Sequence, residues 1–346
     1  MRQRNPLRTV GHAVLVLFTT VLLVAIAAVG LVFVVLRGPS PSAQELLTRS
    51  LKETSAIGFI PDLFLSAERV DEIMRYKETV TETEQTDTSL VTISATARHD
   101  GSAPEEGDGD AASGTEDDGD GVELIGITGA NYRGVLLIVD DPFRVFVGTP
   151  DTFGGVGLTL QQMVDKYDAL AGINAGGFYD PNGTGTGGTP DGIVISDGVM
   201  TYGGAGTVST VIGFDGAGVL HVGRMSGQEA KDRDIRWACS FGPALIVNGE
   251  AMTGSEITAS SVNPRTAIGQ RADGAVLLLV VDGRQVTSLG ATYEDLISIF
   301  LEYGAVNAAN LDGGSSTQMI FDGETMNVSA SVIGARPLPT AFLVRR

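Results

Sequence analysis

With 42 acidic against 23 basic side chains and a net charge of −19, this 346-residue chain repels a polyphosphate backbone, which excludes nucleic acid as its partner. A single cysteine, Cys239, leaves no intrachain disulfide. The only histidines, His12, His99 and His221, are too few for a multi-histidine zinc site and leave a Ser-His-Asp triad almost without raw material.

Arg2, Arg4 and Arg8 precede an almost unbroken apolar run from Val10 to Leu36. As a helix at about 1.5 Å per residue, that run crosses a hydrocarbon core of about 30 Å with length to spare. It is longer than the apolar core of about 7–15 residues in a cleaved signal peptide, and Arg37-Gly38-Pro39 makes a poor cleavage site. The expectation is a signal anchor over 10–36 in the cell membrane, single-pass, with residues 1–9 cytoplasmic and the remainder extracellular. Residues 37–78 read as a helical stalk, with amphipathic helices at Pro41–Ala56 and Ser66–Lys77 separated by Ile57–Pro61. Residues 79–121 read as an acidic flexible linker, and its stretch from Asp100 to Gly121 contains no Lys or Arg. Its Asp-Gly-Asp repeats lack the terminal Glu and flanking helices of a calcium loop, so structural calcium is unsupported and no cofactor is required.

The folded domain is expected over 122–346. Strands are predicted at Gly134–Val139, Arg144–Gly148, Gly192–Ser196, Thr210–Asp215, Val219–Val222, Ala244–Val247, Thr266–Gly269, Ala275–Val281, Gln318–Phe321 and Pro339–Val344. The clear helices are Thr159–Tyr167 and Thr292–Tyr303. Many strands and few helices predict an α+β domain of mixed, mainly antiparallel sheet; a doubly wound fold needs more helices. His221, in an apolar run, reads as a half-buried strand residue, and Cys239, in Trp-Ala-Cys-Ser-Phe, as a buried thiol.

Polar residues in glycine-rich settings are the candidate site. Asn310-Leu-Asp-Gly-Gly-Ser-Ser-Thr317 lets a backbone approach a ligand closely, and its consecutive N–H groups suit an anion, with Asp312 as acid, base or ligand. The same octapeptide also reads as a tight turn capped by Asp312. Asn174-Ala-Gly-Gly-Phe-Tyr-Asp180 offers Asn174 and Asp180 to a hydroxyl, or an ordinary strand-to-loop turn. Arg265 in Asn-Pro-Arg-Thr-Ala-Ile-Gly has a planar fork that suits a phosphate or a structural ion pair; Arg284 and Arg336 pose the same choice more weakly. Ser240 opens Ser-Phe-Gly-Pro-Ala-Leu-Ile-Val-Asn-Gly249, a turn into a strand.

Taken in order, NAGGFYD, SFGPALIVNG, NPRTAIG, VDGR and NLDGGSST closely resemble the phosphodiester glycosidase family, over about Gly126 to Val344. Departures are small: Ala175 stands where glycine is common, Tyr179 replaces a frequent Phe, and only two glycines precede Ser315-Ser316. The resemblance implies a hydrolase that cleaves the glycosidic C–O bond of a sugar-1-phosphodiester in cell-envelope or exopolysaccharide glycans. It implies Asp312 as nucleophile or base, with Arg265 and the amides of Gly313, Gly314 and Ser315 on the phosphate. Asn174 and Asp180 would position the sugar, and Gly176, Gly177, Ser240, Ser316, Thr317, Arg284 and Arg336 complete the expected binding set. A second carboxylate, Asp191 or Asp282, is left open, and with it retention or inversion. The alternative is a non-catalytic phosphoglycan-binding module that assists glycan assembly. A metal-dependent phosphodiesterase would need clustered His and Asp ligands that the domain largely lacks.

Overall fold

The computed structural model describes residues 6–52, 57–75, 85–93, 121–180, 185–258, 260–331 and 334–346. The chain divides into two compact units, Met1–Glu53 with Ile57–Tyr76, and Thr54–Ala56 with Lys77–Arg346.

The first unit is helical: α1 (Pro6–Arg37), α2 (Pro41–Lys52), α3 (Ile60–Phe64) and α4 (Ala67–Arg75). Within α1, Leu15–Arg37 is long and apolar enough to cross a membrane, a property shared by anchors and signal sequences. Gln44 Nε2 donates to Leu36 O (2.6 Å), and Arg69 Nε donates to Gln44 Oε1 (3.0 Å), tying α2 to its neighbours.

The second unit contains seventeen strands among the described residues. Its first half carries β1 (Val122–Thr128), β2 (Arg133–Val139), β3 (Val145–Gly148), β4 (Ala169–Asn174), β5 (Val194–Ser196), β6 (Val199–Tyr202), β7 (Val208–Asp215), β8 (Leu220–Ser226) and β9 (Ile235–Ser240). The second half carries β10 (Ala244–Val247), β11 (Glu250–Ala251), β12 (Arg265–Arg271), β13 (Val276–Val281), β14 (Ala305–Leu311), β15 (Met319–Phe321), β16 (Glu324–Thr325) and β17 (Ala341–Arg345). Between them lie α5 (Leu160–Tyr167), α6 (Gly227–Asp232), α7 (Ser255–Thr258) and α8 (Tyr293–Glu302).

Three sheets result, ordered β1-β2-β13-β12-β14-β10-β11, β16-β15-β4-β17-β3 and β6-β5-β9-β7-β8. Every strand pairing among the described residues is antiparallel. The fold is the α+β, mainly antiparallel class that the strand-rich pattern predicts.

β13 shows why the first sheet sits at the centre. All six of its residues are buried. Val276, Leu278 and Val280 point into a core shared by all three sheets, while Leu277, Leu279 and Val281 face α8. A period of two with both sides apolar marks a strand covered on both faces. Helix α8 covers the second face through Tyr293, Leu296, Ile297 and Phe300, at helical spacing. Thr292 and Asp295 cap α8 reciprocally, as Thr159 and Gln162 cap α5.

Residues 85–93 fall inside the predicted linker, yet they are hydrogen-bonded within the second unit. Asp87 N donates to Asn248 Oδ1 (2.7 Å), Asn248 Nδ2 to Gln85 O (3.0 Å) and Thr92 N to Ala272 O (2.7 Å). Val91 is buried, and the Asp87 side chain caps a 3-10 turn at Thr88–Leu90. The acidic tract from 100 to 120 lies outside the described residues.

Candidate active site

The site is built where β4, β9, β12 and β14 end or begin. Asn174 closes β4 and is fully buried, so each of its polar atoms needs a partner. Its Nδ2 donates to Asp312 O, and its Oδ1 accepts from Thr266 Oγ1 (2.7 Å) and Gln318 N (3.0 Å). Asp312 N donates in turn to Ala175 O (2.9 Å). The half-exposed Asp312 is thereby held through its backbone from both sides by the Asn-Ala-Gly-Gly turn.

The glycine turn is anchored on its other flank by the segment that carries Arg265. Gly314, at φ +61°, donates its N–H to Pro264 O (2.9 Å). A side chain at Gly313 would run into the same carbonyl at 2.8 Å, so only glycine permits this approach. Gly177 is equally constrained: a Cβ there would lie 2.7 Å from the Phe241 ring and 2.9 Å from Asp191 Oδ2. Gly177 N donates to Ser240 O (3.1 Å), and Gly176 N to Thr340 Oγ1 (2.9 Å). Asn310 reads the β9–β10 connection through Gly242 O (2.8 Å) and Pro243 O (3.0 Å).

The blocks around Asn174, Ser240, Arg265 and Asp312 therefore converge. Asn174 donates its amide to the Asp312 backbone. Arg265 is buried; its Nε donates to Ala291 O (3.1 Å), its Nη2 to Ser261 O (2.6 Å), and its guanidinium stacks on Tyr293, 4.3 Å from the ring centroid. That set of contacts is a structural brace for β12. The Gly314 amide is spent on Pro264 O, and the buried Ser240 hydroxyl on Ile193 N (2.8 Å), Ile193 O (3.1 Å) and Ser209 Oγ (2.8 Å). Ser316 and Thr317 are also buried, whereas Ser315 is half-exposed.

Arg336 is the arginine that touches the glycine turn. Its Nη1 donates to Ser315 Oγ (3.2 Å), its Nη2 lies 2.8 Å from Asp180 Oδ2, and its guanidinium sits over Phe178. The Nη2 N–H directions miss the carboxylate, leaving that nitrogen buried without a hydrogen bond among the described residues. Asp180 also accepts from Gly185 N (2.6 Å). Arg284 is exposed and donates to Asn263 Oδ1 (3.1 Å).

The two carboxylates left open in sequence differ. Asp191 is exposed beside Gly177, with its N–H on Gly177 O (2.9 Å). Asp282 is half-buried; burial pushes its carboxyl above the ordinary aspartate range against hydrogen bonds from Asn327 Nδ2 and Val328 N. Asn327 then donates to Thr317 O (3.2 Å) and accepts from Met319 N (2.8 Å), bracing the exit of the glycine turn. The contacts of Thr266, Asn310, Asn327 and Thr340 are not readable in sequence, because a neutral side chain that fixes a partner distant in the chain leaves no local signal. Among the described residues, no three His, Cys, Asp or Glu side chains gather to hold a metal.

The sequence model of the phosphodiester glycosidase family (NAGPA) matches residues 167–345. The chain belongs to the phosphodiester glycosidase family. It is 33% identical over 199 residues to the SPbeta prophage-derived uncharacterized protein YomE of Bacillus subtilis, covering 54% of this chain and 29% of that protein. It is 26% identical over 216 residues to the mouse N-acetylglucosamine-1-phosphodiester alpha-N-acetylglucosaminidase, covering 56% of this chain and 41% of the enzyme. The chain thus spans less than half the length of these curated relatives. The zebrafish N-acetylglucosamine-1-phosphodiester alpha-N-acetylglucosaminidase catalytic domain, auto-inhibited by its pro-peptide, has the same fold. Its TM-score is 0.54 at 22% identity, with 65% of this chain and 82% of that one covered.

Proposed function

We propose that the domain hydrolyses a sugar-1-phosphodiester at the glycosidic C–O bond, releasing free sugar and a phosphomonoester. The substrate class is a phosphate-linked glycan of the cell envelope. A phosphate leaving group departs readily, so the protein's task is to stabilise negative charge on phosphate and an oxocarbenium-like sugar. Asp312 serves as the carboxylate, either nucleophile or base for water. Arg336, with the Ser315 hydroxyl, takes the phosphate in place of the Arg265 fork, whose Nε and Nη2 each donate within the fold. Asp180 keeps Arg336 in position, and Asp191, exposed beside Gly177, is the candidate for a second carboxylate. Signal-anchor insertion of α1, tail inward, would put this chemistry outside the cell.

The observation that carries the reading is the two-sided hold on Asp312, by Asn174 and Ala175. It fixes the backbone that carries a partly exposed carboxylate, on a turn that an arginine also contacts, as preorganised catalysis requires. The test is hydrolysis of an N-acetylglucosamine-1-phosphodiester by the full-length protein in heavy-oxygen water. C–O cleavage puts the label in the sugar, whereas P–O cleavage puts it in the phosphate. Asp312→Asn is expected to lower kcat by about 100- to 10,000-fold, the range for loss of a positioned acid or base. Arg336→Ala is expected to cost roughly 10- to 100-fold in kcat/KM, the equivalent of one charge-assisted hydrogen bond. Label in phosphate, or full activity in folded Asp312→Asn, refutes the assignment. Saturable glycan binding without turnover would support the non-catalytic module.

A further inference from the structure

A second surface lies beside the site. Loops 128–133, 260–264, 283–290 and 326–331 are stitched together at one end of the first sheet. Leu289 N donates to Asn131 O (2.7 Å), and Arg133 N to Ser288 Oγ (3.0 Å). Arg284 Nη2 donates to Asn263 Oδ1 (3.1 Å), and Gln285 Nε2 to Val328 O (3.2 Å). The same loops support the glycine turn through Pro264 O and Asn327.

Their tips are apolar and exposed. Val286 stands 103% exposed at the head of a tight hairpin, Val328 is 60% exposed, Leu289 55% and Val262 46%. Single exposed apolar residues are ordinary, but four on mutually bonded loops form one rim.

The charge of the rim is opposite to that of the chain. With 42 acidic residues overall, these four loops contain none, while they contribute Arg133 and Arg284, both exposed. The nearest acid in sequence, Asp282, sits at the base and is engaged by Asn327 and Val328. A strongly acidic protein that keeps the tips of one edge free of acid, carrying Val and Leu and flanked by arginine, suits an anionic surface that is apolar just beneath. The same chain carries Leu15–Arg37, long and apolar enough to lie across a bilayer.

We propose that this rim docks the domain on the surface of an anionic lipid bilayer, with Val262, Val286, Leu289 and Val328 entering the headgroup region. The candidate site then opens next to the membrane. This inference stands apart from the catalytic reading, and it holds equally for a domain that only binds its glycan.

The buried Cys239 leaves a quiet background for site-directed labelling. Full-length protein carrying Val286→Cys, labelled with an environment-sensitive fluorophore, is reconstituted in phosphatidylcholine vesicles with or without phosphatidylglycerol. Val199→Cys, an exposed position on β6 in the third sheet, is the control. The Val286 label is expected to shift to the blue and be quenched by lipids bearing a nitroxide on the acyl chain, more strongly with phosphatidylglycerol. The Val199 label shows neither effect. Adding Leu289→Asp and Val328→Asp, with the melting temperature checked, abolishes both signals at Val286. Equal behaviour of the two labels in both lipid mixtures overturns the proposal. So does a blue shift that follows protein concentration rather than lipid, which would assign the rim to a second copy of the chain. Equal shifts with and without phosphatidylglycerol overturn the part assigned to Arg133 and Arg284.

Discussion

Thr266 illustrates how a residue with no catalytic chemistry sets the position of one that has it. Its hydroxyl is wholly buried and donates to Asn174 Oδ1, which also receives Gln318 N. Thr266→Val removes one of the two bonds, at an expected cost of about 1 kcal/mol measured by urea unfolding. A loss of kcat beyond that expected from stability alone would show the bond acting through Asp312. Asp215 offers a different test. Burial raises its carboxyl, but hydrogen bonds from His221, Val219 N and Ala217 N outweigh burial and hold it below the ordinary aspartate range. A depressed folded value contributes stability above the ordinary aspartate range, and that contribution disappears as pH falls through the depressed value. Asp215→Asn should therefore flatten the acid limb of a stability–pH curve obtained from urea melts, and an unchanged limb would discount the pair. His221 Nε2 lies 2.8 Å from Asp215 Oδ2, and Nδ1 is buried without a hydrogen-bond partner among the described residues. These contacts give the histidine the structural role its apolar run suggests.

Among the elements, the longest runs of Val, Leu and Ile were legible as strands, whereas β1, β6 and β9 and the small-residue strands β4 and β14 were not. β10 and β13 announce themselves by runs of Val, Leu and Ile, and α5 and α8 by Thr caps and apolar spacing. β4 and β14 carry Ala, Gly and Asn, residues of low strand propensity, and β14 reads in sequence only as an apolar step. Yet these two strands deliver Asn174 and Asp312. Buried Asn307 and Asn310 are each met on one side of the amide by neighbouring backbone: Asn307 Oδ1 accepts from Asn248 N, and Asn310 Nδ2 donates to Gly242 O, while Asn307 Nδ2 and Asn310 Oδ1 have no partner among the described residues. The family motifs mark loops that the fold brings together, while the side-chain contacts within them depended on partners distant in sequence, such as the Asp312 carbonyl that receives Asn174 Nδ2. Two element-level outcomes follow. Thr292→Ala unties the cap of α8 and should cost about 1 kcal/mol of stability by denaturant titration. A fragment starting at 122 should melt below one starting at 85, since it loses the bonds made by Asp87, Gln85 and Thr92, and Asn248→Ala should lower the melting temperature of the longer fragment by part of that difference.

At the scale of the molecule, one core draws on all three sheets, from Val276 and Leu278 in the first to Phe342 in the second and Phe214 in the third. Cys239 lies in that core, where burial pushes its thiol well up. Its modification by a thiol reagent should therefore proceed at the rate of global opening, so labelling kinetics measured against urea should track unfolding. Fast labelling under native conditions would mean that the third sheet opens alone. β17 adds a temporal consequence. It lies between β4 and β3 and pairs Val344 with Val145. Until that distant segment arrives, β3 and β4 present unpaired edges to whatever else is in solution, and closing so long a loop is slow. Newly made chains are exposed to sticking together during that interval, and a chaperone that shields strand edges would raise the yield of folded protein without altering its final stability.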